Sequence, residues 1–364
     1  MATVGVFAAL LLVLFLLRWV YSRYCLHGLD VRLYLSTEIA TQGDTVTLTE
    51  ELTNSKWLPL PWVGVKFRTG RELKFASTQV AADAYYRNDL YHILMYQKIT
   101  RRLPFECARR GYYVIEGLEI TGWDVLMENK FIKQFTCDAR LTVLPRTIPT
   151  PELEQLCALV YGQLATASPI NPDPFTFRGI REYTPADPLK AINFKVSARA
   201  QAMMVNMWEF CNERQVVILL DTKRHAVWHN PDLEERAISI AASVSEKMLN
   251  AGAPVGFAAN GRSILHGKAL ELPQGIGGQQ QQAILENLAL IDLENQALAP
   301  IALHLEEAVL HGVHQPEYWL ISAYFSYELA RAYTQAVQTG LRVAWVMPGE
   351  RPVASDFCDS IVFV

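Results

Sequence analysis

Residues 177–199 read FRGIREYTPADPLKAINFKVSAR, where Arg178, Arg181, Asp187, Lys195 and Arg199 are interleaved with Phe177, Tyr183, Ile192 and Phe194. Charges so close to bulky apolar side chains stand at a core boundary, where an unpaired charge is costly. Three roles suit these residue types. Asp187 can act as a general base with the cations as anion stabilisers; the charges can pair into a clamp holding a loop against a sheet; or the segment, with Gly179, Asn193 and Ser197, can be a partner surface. No His or Cys nucleophile stands within the stretch, so the clamp is the expected role, the partner surface its rival, and no residue is assigned as catalytic. The second candidate is Asp221, which closes the apolar run 216–220. Sheets with helical crossovers place ligands beyond the carboxyl ends of their strands, where this carboxylate would stand.

Other patterns point to weaker chemistry. His225 and His229 follow Asp221 at steps of four, and imidazole favours zinc-like ions, but Asn230-Pro231 interrupts the helix that would align them. His304, Glu307 and His311 share a face if 303–310 is helical, with His314 just beyond, yet no His-Glu-x-x-His motif is present. Gly275, Gly277 and Gly278 lack the Lys-Ser or Lys-Thr of a phosphate loop, and Gly261-Arg262-Ser263 lacks the second glycine of a nucleophile elbow. No metal and no cofactor is expected.

The elements that must position these residues follow from periodicity. From 216 onward apolar runs at 216–220, 255–258, 318–321 and 343–347 alternate with helical patterns near 233–249, 279–289 and 324–339, which predicts a mainly parallel sheet with helices on both faces. Upstream, Val46, Leu48 and Leu52 alternate with threonines, and Val63, Val65 and Phe67 resume the alternation after Pro59 and Pro61. A strand is expected at 94–103, turns at Arg109-Arg110-Gly111 and Glu116-Gly117, and overall a small β-sandwich. Leu153, Leu156, Leu159 and Val160 show helical spacing in a connector between the two. The expected division is an anchor at 1–24, a β-sandwich at 30–148, a connector at 149–175, and the signature segment with the α/β domain at 176–364.

The anchor is the run ATVGVFAALLLVLFLL, free of charge and followed by Arg18, Trp19, Tyr21, Arg23 and Tyr24, the cations and interfacial aromatics that usually border a span. With Trp19–Tyr21 included it reaches about 20 residues, or roughly 30 Å of helix. Because Arg18, Arg23 and Arg32 follow the apolar run, the bulk of the chain is expected to face the cytoplasm. A hydrophobic share of 51% over 364 residues suits a membrane segment or large buried sheets. The six cysteines show no paired spacing and read as reduced thiols. The net charge is −4 and no long basic block exists, which argues against nucleic acid as a partner. The cluster Lys98, Arg101, Arg102, Arg109 and Arg110 is expected to be a solvated strand face, its alternative being contact with anionic lipid headgroups.

The Phe-Arg-Gly-x-Arg-x-Tyr, Asp-Pro, Ile-Asn and Lys-x-Ser-Ala-Arg series, with the Leu-Pro-Leu-Pro-Trp segment, the Arg-Arg-Gly-Tyr-Tyr turn and Gly122-Trp123-Asp124 upstream, resembles the domain of unknown function 58 family. The resemblance implies a von Willebrand factor A-like, Rossmann-like domain behind a β-domain. It also implies a bacterial inner-membrane setting and association with MoxR-type AAA+ ATPases, possession of an activity being unestablished for the family. Metal-binding von Willebrand-like domains carry Asp-x-Ser-x-Ser where this chain has Asp221-Thr222-Lys223-Arg224-His225, so Asp221 reads as a degenerate metal position and no Mg²⁺ is expected there. The expected function is a membrane-tethered scaffold or adaptor that binds other membrane or envelope proteins. The alternatives are a metal-dependent or hydrolytic enzyme at the Asp221 edge and a purely structural membrane protein.

Overall fold

The computed structural model describes every residue except 1, 71, 76–85, 125–126, 168–176, 185–191, 209–214, 225–229, 296–298, 311–315 and 350–360, with backbone alone at 2–4, 86, 165–167, 177–181 and 206–208. The chain divides into two units, Met1–Arg146 with Leu285–Ile291 and Thr147–Ile284 with Asp292–Val364.

The first unit opens with helix α1 (Ala2–Tyr24). Strands β1 (Leu29–Leu35), β2 (Ile39–Thr41), β3 (Thr45–Asn54), β4 (Leu60–Arg68), β5 (Leu73–Phe75), β6 (Tyr86–Ile93), β7 (Lys98–Cys107), β8 (Gly111–Trp123), β9 (Lys130–Phe135) and β10 (Ala139–Leu144) follow. They form one sheet in the order β1-β3-β7-β5 and a second in the order β2-β10-β8-β4-β6, with β9 paired to β8. The alternation in β3 buries Val46, Leu48, Glu50 and Leu52, and β4 contributes Val63, Val65 and Phe67 to the same core. Period-two patterning thus makes a sandwich-like unit, with one carboxylate on its apolar face.

Three expectations for this unit need correcting. Residues 94–103 are not one strand: the Gln97 side chain accepts from Leu94 N–H at 2.8 Å, and Tyr96 takes a left-handed φ of 50°, so the chain turns between β6 and β7. Glu116-Gly117 is no turn either, since β8 runs through it with Gly117 at φ 65° and changes partner from β10 to β4 and β9. In the cationic cluster Lys98 and Arg102 are exposed, as expected of a solvated strand face, and Arg110 departs from it by being buried. Lys98 pairs with Glu51 at 2.9 Å, Arg101 with Asp89 at 3.0 Å, and Arg110 is buried, donating to the carbonyls of Leu288, Ala289 and Ile291 within this unit.

The second unit runs α2 (Thr150–Ala167), β11 (Phe177–Glu182), α3 (Phe194–Ala200), β12 (Met204–Trp208), β13 (Val216–Asp221), α4 (Pro231–Asn250), β14 (Val255–Ser263) and β15 (Ala269–Gly275). It continues with α5 (Gly277–Ala289) and β16 (Ile291–Asp292), of which Leu285–Ile291 counts with the first unit, then α6 (Ala302–Leu310), β17 (Glu317–Ser322), α7 (Tyr327–Gln338), β18 (Val343–Met347) and β19 (Ile361–Phe363). The main sheet has the order β15-β14-β13-β17-β18-β19, with β16 also paired to β14, and along that order the pairs are parallel except for β14–β15. Leu219, Leu320 and Trp345 share a core with α6 and α7 on one face. Trp319 points to the other, 6.2 Å from the ring of Tyr161 in α2. The central strands β13, β17 and β18 are buried on both faces, which is why their sequences are largely apolar runs.

Candidate functional site

The carboxyl ends of β13, β14 and β17 carry Asp221, Asn260 and Ser322, with Asp221 and Ser322 in register on adjacent strands. Asn260 is buried and joins two strands. Its amide nitrogen donates to Asp221 Oδ1 at 2.6 Å, and its oxygen accepts from Thr222 N–H at 2.8 Å and from the Thr222 hydroxyl at 3.0 Å. The same Asp221 oxygen accepts from Lys223 N–H at 3.0 Å. Burial pushes the Asp221 carboxyl above its usual range, while the Lys223 N–H and Asn260 amide pull the other way.

Beside it, Arg224 holds Glu234 through a fork of three contacts at 2.5–2.9 Å, and Tyr324 donates to Glu234 Oε1 at 3.1 Å. Glu234 is only 3% exposed, so its charge stands on this pairing. Tyr324 also accepts from Asn230 N–H, while Asn230 caps α4 ahead of Pro231 at its first turn. The Ser322 hydroxyl accepts from Trp345 Nε1 at 2.8 Å. Lys223 pairs with Glu328 in the open at 3.0 Å. A cavity of about 10 Å³, about one water in size, lies against Asp221, Thr222, Glu234 and Tyr324. The edge is thus a polar network whose donors and acceptors are largely spent on each other.

Among the described residues no group of three or more His, Cys, Asp and Glu is placed to hold a metal. His225, His229, His311 and His314 lie outside the described residues. His304 and Glu307 both sit on α6 and line a groove of about 590 Å³ whose floor is Val217, Phe257 and Tyr318, with His304 Nε2 3.7 Å from Glu271. The space that a phosphate loop would leave at Gly275 is filled, because the Gln280 amide there donates to the carbonyls of Val255 and Pro273, both at 2.8 Å.

The signature residues are divided among several positions. Arg178, Gly179 and Arg181 lie on β11, which pairs antiparallel with β12, and Asp187 lies outside the described residues. Tyr183 continues the pairing through its N–H to Met203 O at 2.8 Å. Asn193 caps α3 by accepting from Val196 N–H at 3.1 Å, and the Ser197 hydroxyl donates to Asn193 O and accepts from Met204 N–H, both at 2.8 Å. These two polar residues therefore bind α3 to β12. Lys195 and Arg199 do the opposite: α3 buries none of its residues, and Phe194 is 75% exposed beside them. Asn260, Glu234 and Tyr324 escaped the sequence reading. For Asn260 and Ser322 the signal existed, since each ends an apolar run as Asp221 does.

The chain therefore joins a β-rich unit bearing an apolar N-terminal helix to a mixed-sheet unit with helices. Residues 179–338 match the family described as Protein of unknown function DUF58. No relative among curated proteins matches its sequence. Similar solved structures include the seventh ScaB type I cohesin from Pseudobacteroides cellulosolvens, at 12% identity over 33% of this chain and 95% of that one, with a TM-score of 0.24. The CARDB domain of the PF1109 protein from Pyrococcus furiosus, in complex with di-metal ions, gives 10% identity over 32% and 90%, with a TM-score of 0.22. A non-cellulosomal cohesin from Archaeoglobus fulgidus gives 11% over 35% and 96%, with a TM-score of 0.22. At such scores these likenesses carry no argument about this chain.

Proposed function

We propose that the chain is a membrane-tethered, cytoplasm-facing scaffold in a bacterial inner membrane, with a von Willebrand factor A-like second unit that binds protein partners, among them a MoxR-type AAA+ ATPase acting in envelope or complex maturation. The anchor rests on Gly5–Tyr24, a helical stretch of 20 residues with a mean hydropathy of 2.0 and almost no burial. The orientation rests on Arg18, Arg23 and Arg32 after the apolar run.

The observation that carries the binding role is α3. A helix with no buried residue that shows Phe194 next to the cations Lys195 and Arg199, with Met203 also exposed, resembles the anchor of an interface more than the support of a core. Its complement is an acidic surface with an apolar pocket. The test is co-purification from solubilised membranes of the wild type and of Phe194→Ser with Lys195→Glu. Loss of the MoxR-type ATPase from the variant, with unchanged thermal unfolding, is expected. An ATPase that never accompanies the wild type, or that stays with the variant, defeats the reading.

The second reading is an enzyme at the Asp221 edge, favoured by the raised proton affinity of that buried carboxyl beside a small cavity. Hydrolytic turnover abolished by Asp221→Asn would select it.

A further inference from the structure

Three surface loops of the first unit carry large apolar side chains into solvent: Trp57 and Trp62 around one, Leu94, Met95 and Tyr96 on the second, and Met127 on the third. Tyr96 is 70% exposed and Met127 50%. Both are held at left-handed φ, 50° and 58°, which is unfavourable for residues other than glycine. Turns that keep bulky apolar residues outward on an unfavourable backbone are not explained by the packing of the sandwich.

All three loops are tied to the same end of α1. Glu128, next to Met127, pairs with Arg18 at 2.7 Å. Tyr21 donates to the carbonyl of Pro59 at 2.8 Å, and Lys56 donates to the carbonyls of Cys25 and His27 at 2.5 and 2.8 Å. The second loop joins through Tyr96 N–H to Lys56 O at 3.1 Å and through the Asn54 side chain, which donates to the carbonyls of Leu58 and Leu94, both at 2.9 Å. Cys25 follows Tyr21 by about one further turn, just past α1, whereas Arg18 and Tyr21 themselves lie within about 5 Å of each other along the helix axis. That level is where the apolar run stops at Leu17 and where Trp19 stands exposed. The headgroup zone on each side of a bilayer is roughly 5–7 Å deep, enough to contain it.

We propose that these three loops form a membrane-seated rim, with Trp57, Trp62, Leu94, Met95, Tyr96 and Met127 lying in the headgroup and upper acyl zone of the bilayer that α1 crosses. The inference rests on the anchor reading above. Indole and phenol rings suit that zone because one end is apolar and the other wet, and Leu and Met add area that water would otherwise cover. The rim fixes the first unit against the lipid surface at several points around the helix, so the sandwich does not swing on α1 as on a tether.

The full chain, reconstituted in phosphatidylcholine vesicles with and without phosphatidylcholine brominated high on the acyl chain, provides the test through quenching of tryptophan emission. Trp19→Phe reports on the helix, and Trp57→Phe and Trp62→Phe on the rim; both rim positions are solvent-facing, so the fold tolerates the change. Each rim variant is expected to lower the quenchable emission by at least roughly half as much as Trp19→Phe does. Should Trp19→Phe lower it while neither rim variant does, the anchor stands and the rim is overturned, the patch then facing a protein or solvent. Should no variant change it and the protein fail to float with the vesicles, the anchor fails and the rim with it.

Discussion

Glu50 allows a stability change to be worked out before it is measured. It shares the buried face of β3 with Val46, Leu48 and Leu52 and is 1% exposed. Tyr91 donates to Oε2 at 2.5 Å, while Oε1 is buried with no hydrogen-bond partner. Desolvation pushes the carboxyl up from 4.5 to about 7, against the pull of the Tyr91 hydrogen bond and of Arg101 and Arg87, with Asp89 adding to the push. The folded state therefore holds this proton more tightly than the unfolded chain. The contribution of Glu50 to stability is complete below 4.5, falls as pH rises, and is lost above about 7. At about 1.4 kcal/mol per tenfold in proton affinity, that interval is worth at most about 3–4 kcal/mol. Glu50→Gln keeps the shape, keeps an acceptor for Tyr91 and removes the charge. The variant should match the wild type near pH 4 and exceed it by about 2–3 kcal/mol at pH 8. Urea unfolding of the full chain in detergent measures the difference, and amide exchange in β3 and β7 assigns it to this sheet. A difference between variant and wild type that does not change with pH, or that favours the wild type at pH 8, refutes the reasoning.

Asn260→Leu removes a hydrogen bond to a buried carboxylate and strands the Thr222 N–H, which should cost about 2–4 kcal/mol, read as faster amide exchange in β13 and β14. Burial already raises Asp221 above 3.8, so its contribution is complete below that pH and lost as pH rises through the folded value; the variant, lacking a donor, should shift that loss to higher pH. Gly122→Ala would bring a Cβ within 2.5 Å of Cys25 Sγ, so a loss of about 1–3 kcal/mol is expected, recovered largely by adding Cys25→Ala. A neutral single variant would mean that Cys25 does not pack on β8. Mg²⁺ should leave thermal unfolding unchanged, because the residue two past Asp221 is the cation Lys223 and not an oxygen ligand; a rise in melting temperature abolished by Asp221→Ala would show a real site.

What could be read from the sequence was local and periodic. Alternation placed Val46, Leu48 and Leu52 inside, and the runs 216–220 and 343–347 announced strands covered on both faces. The turn at 94–97 escaped because no glycine marks it: a side chain, Gln97, closes it, and Tyr96 accepts a conformation that periodicity cannot reveal. Gly117 misled in the other direction, since a left-handed glycine inside a strand serves a change of partner as well as a turn. α3 was hidden because seven residues are too few for a helical period to stand out, and its start depends on an asparagine cap rather than on an apolar stripe. Charged residues were the least legible of all. Arg110 looked like half of a surface turn, and its partners lie about 180 residues further along. Whether a charge is solvated, paired or buried is decided by what the fold brings to it, and sequence neighbours do not report that. The same limit applies within the signature, where Asn193 and Ser197 turn inward to hold α3 while Lys195 and Arg199 are left in solvent. Substitutions at the inward pair should therefore act through folding, and those at the outward pair, under the binding role proposed for α3, through partner capture.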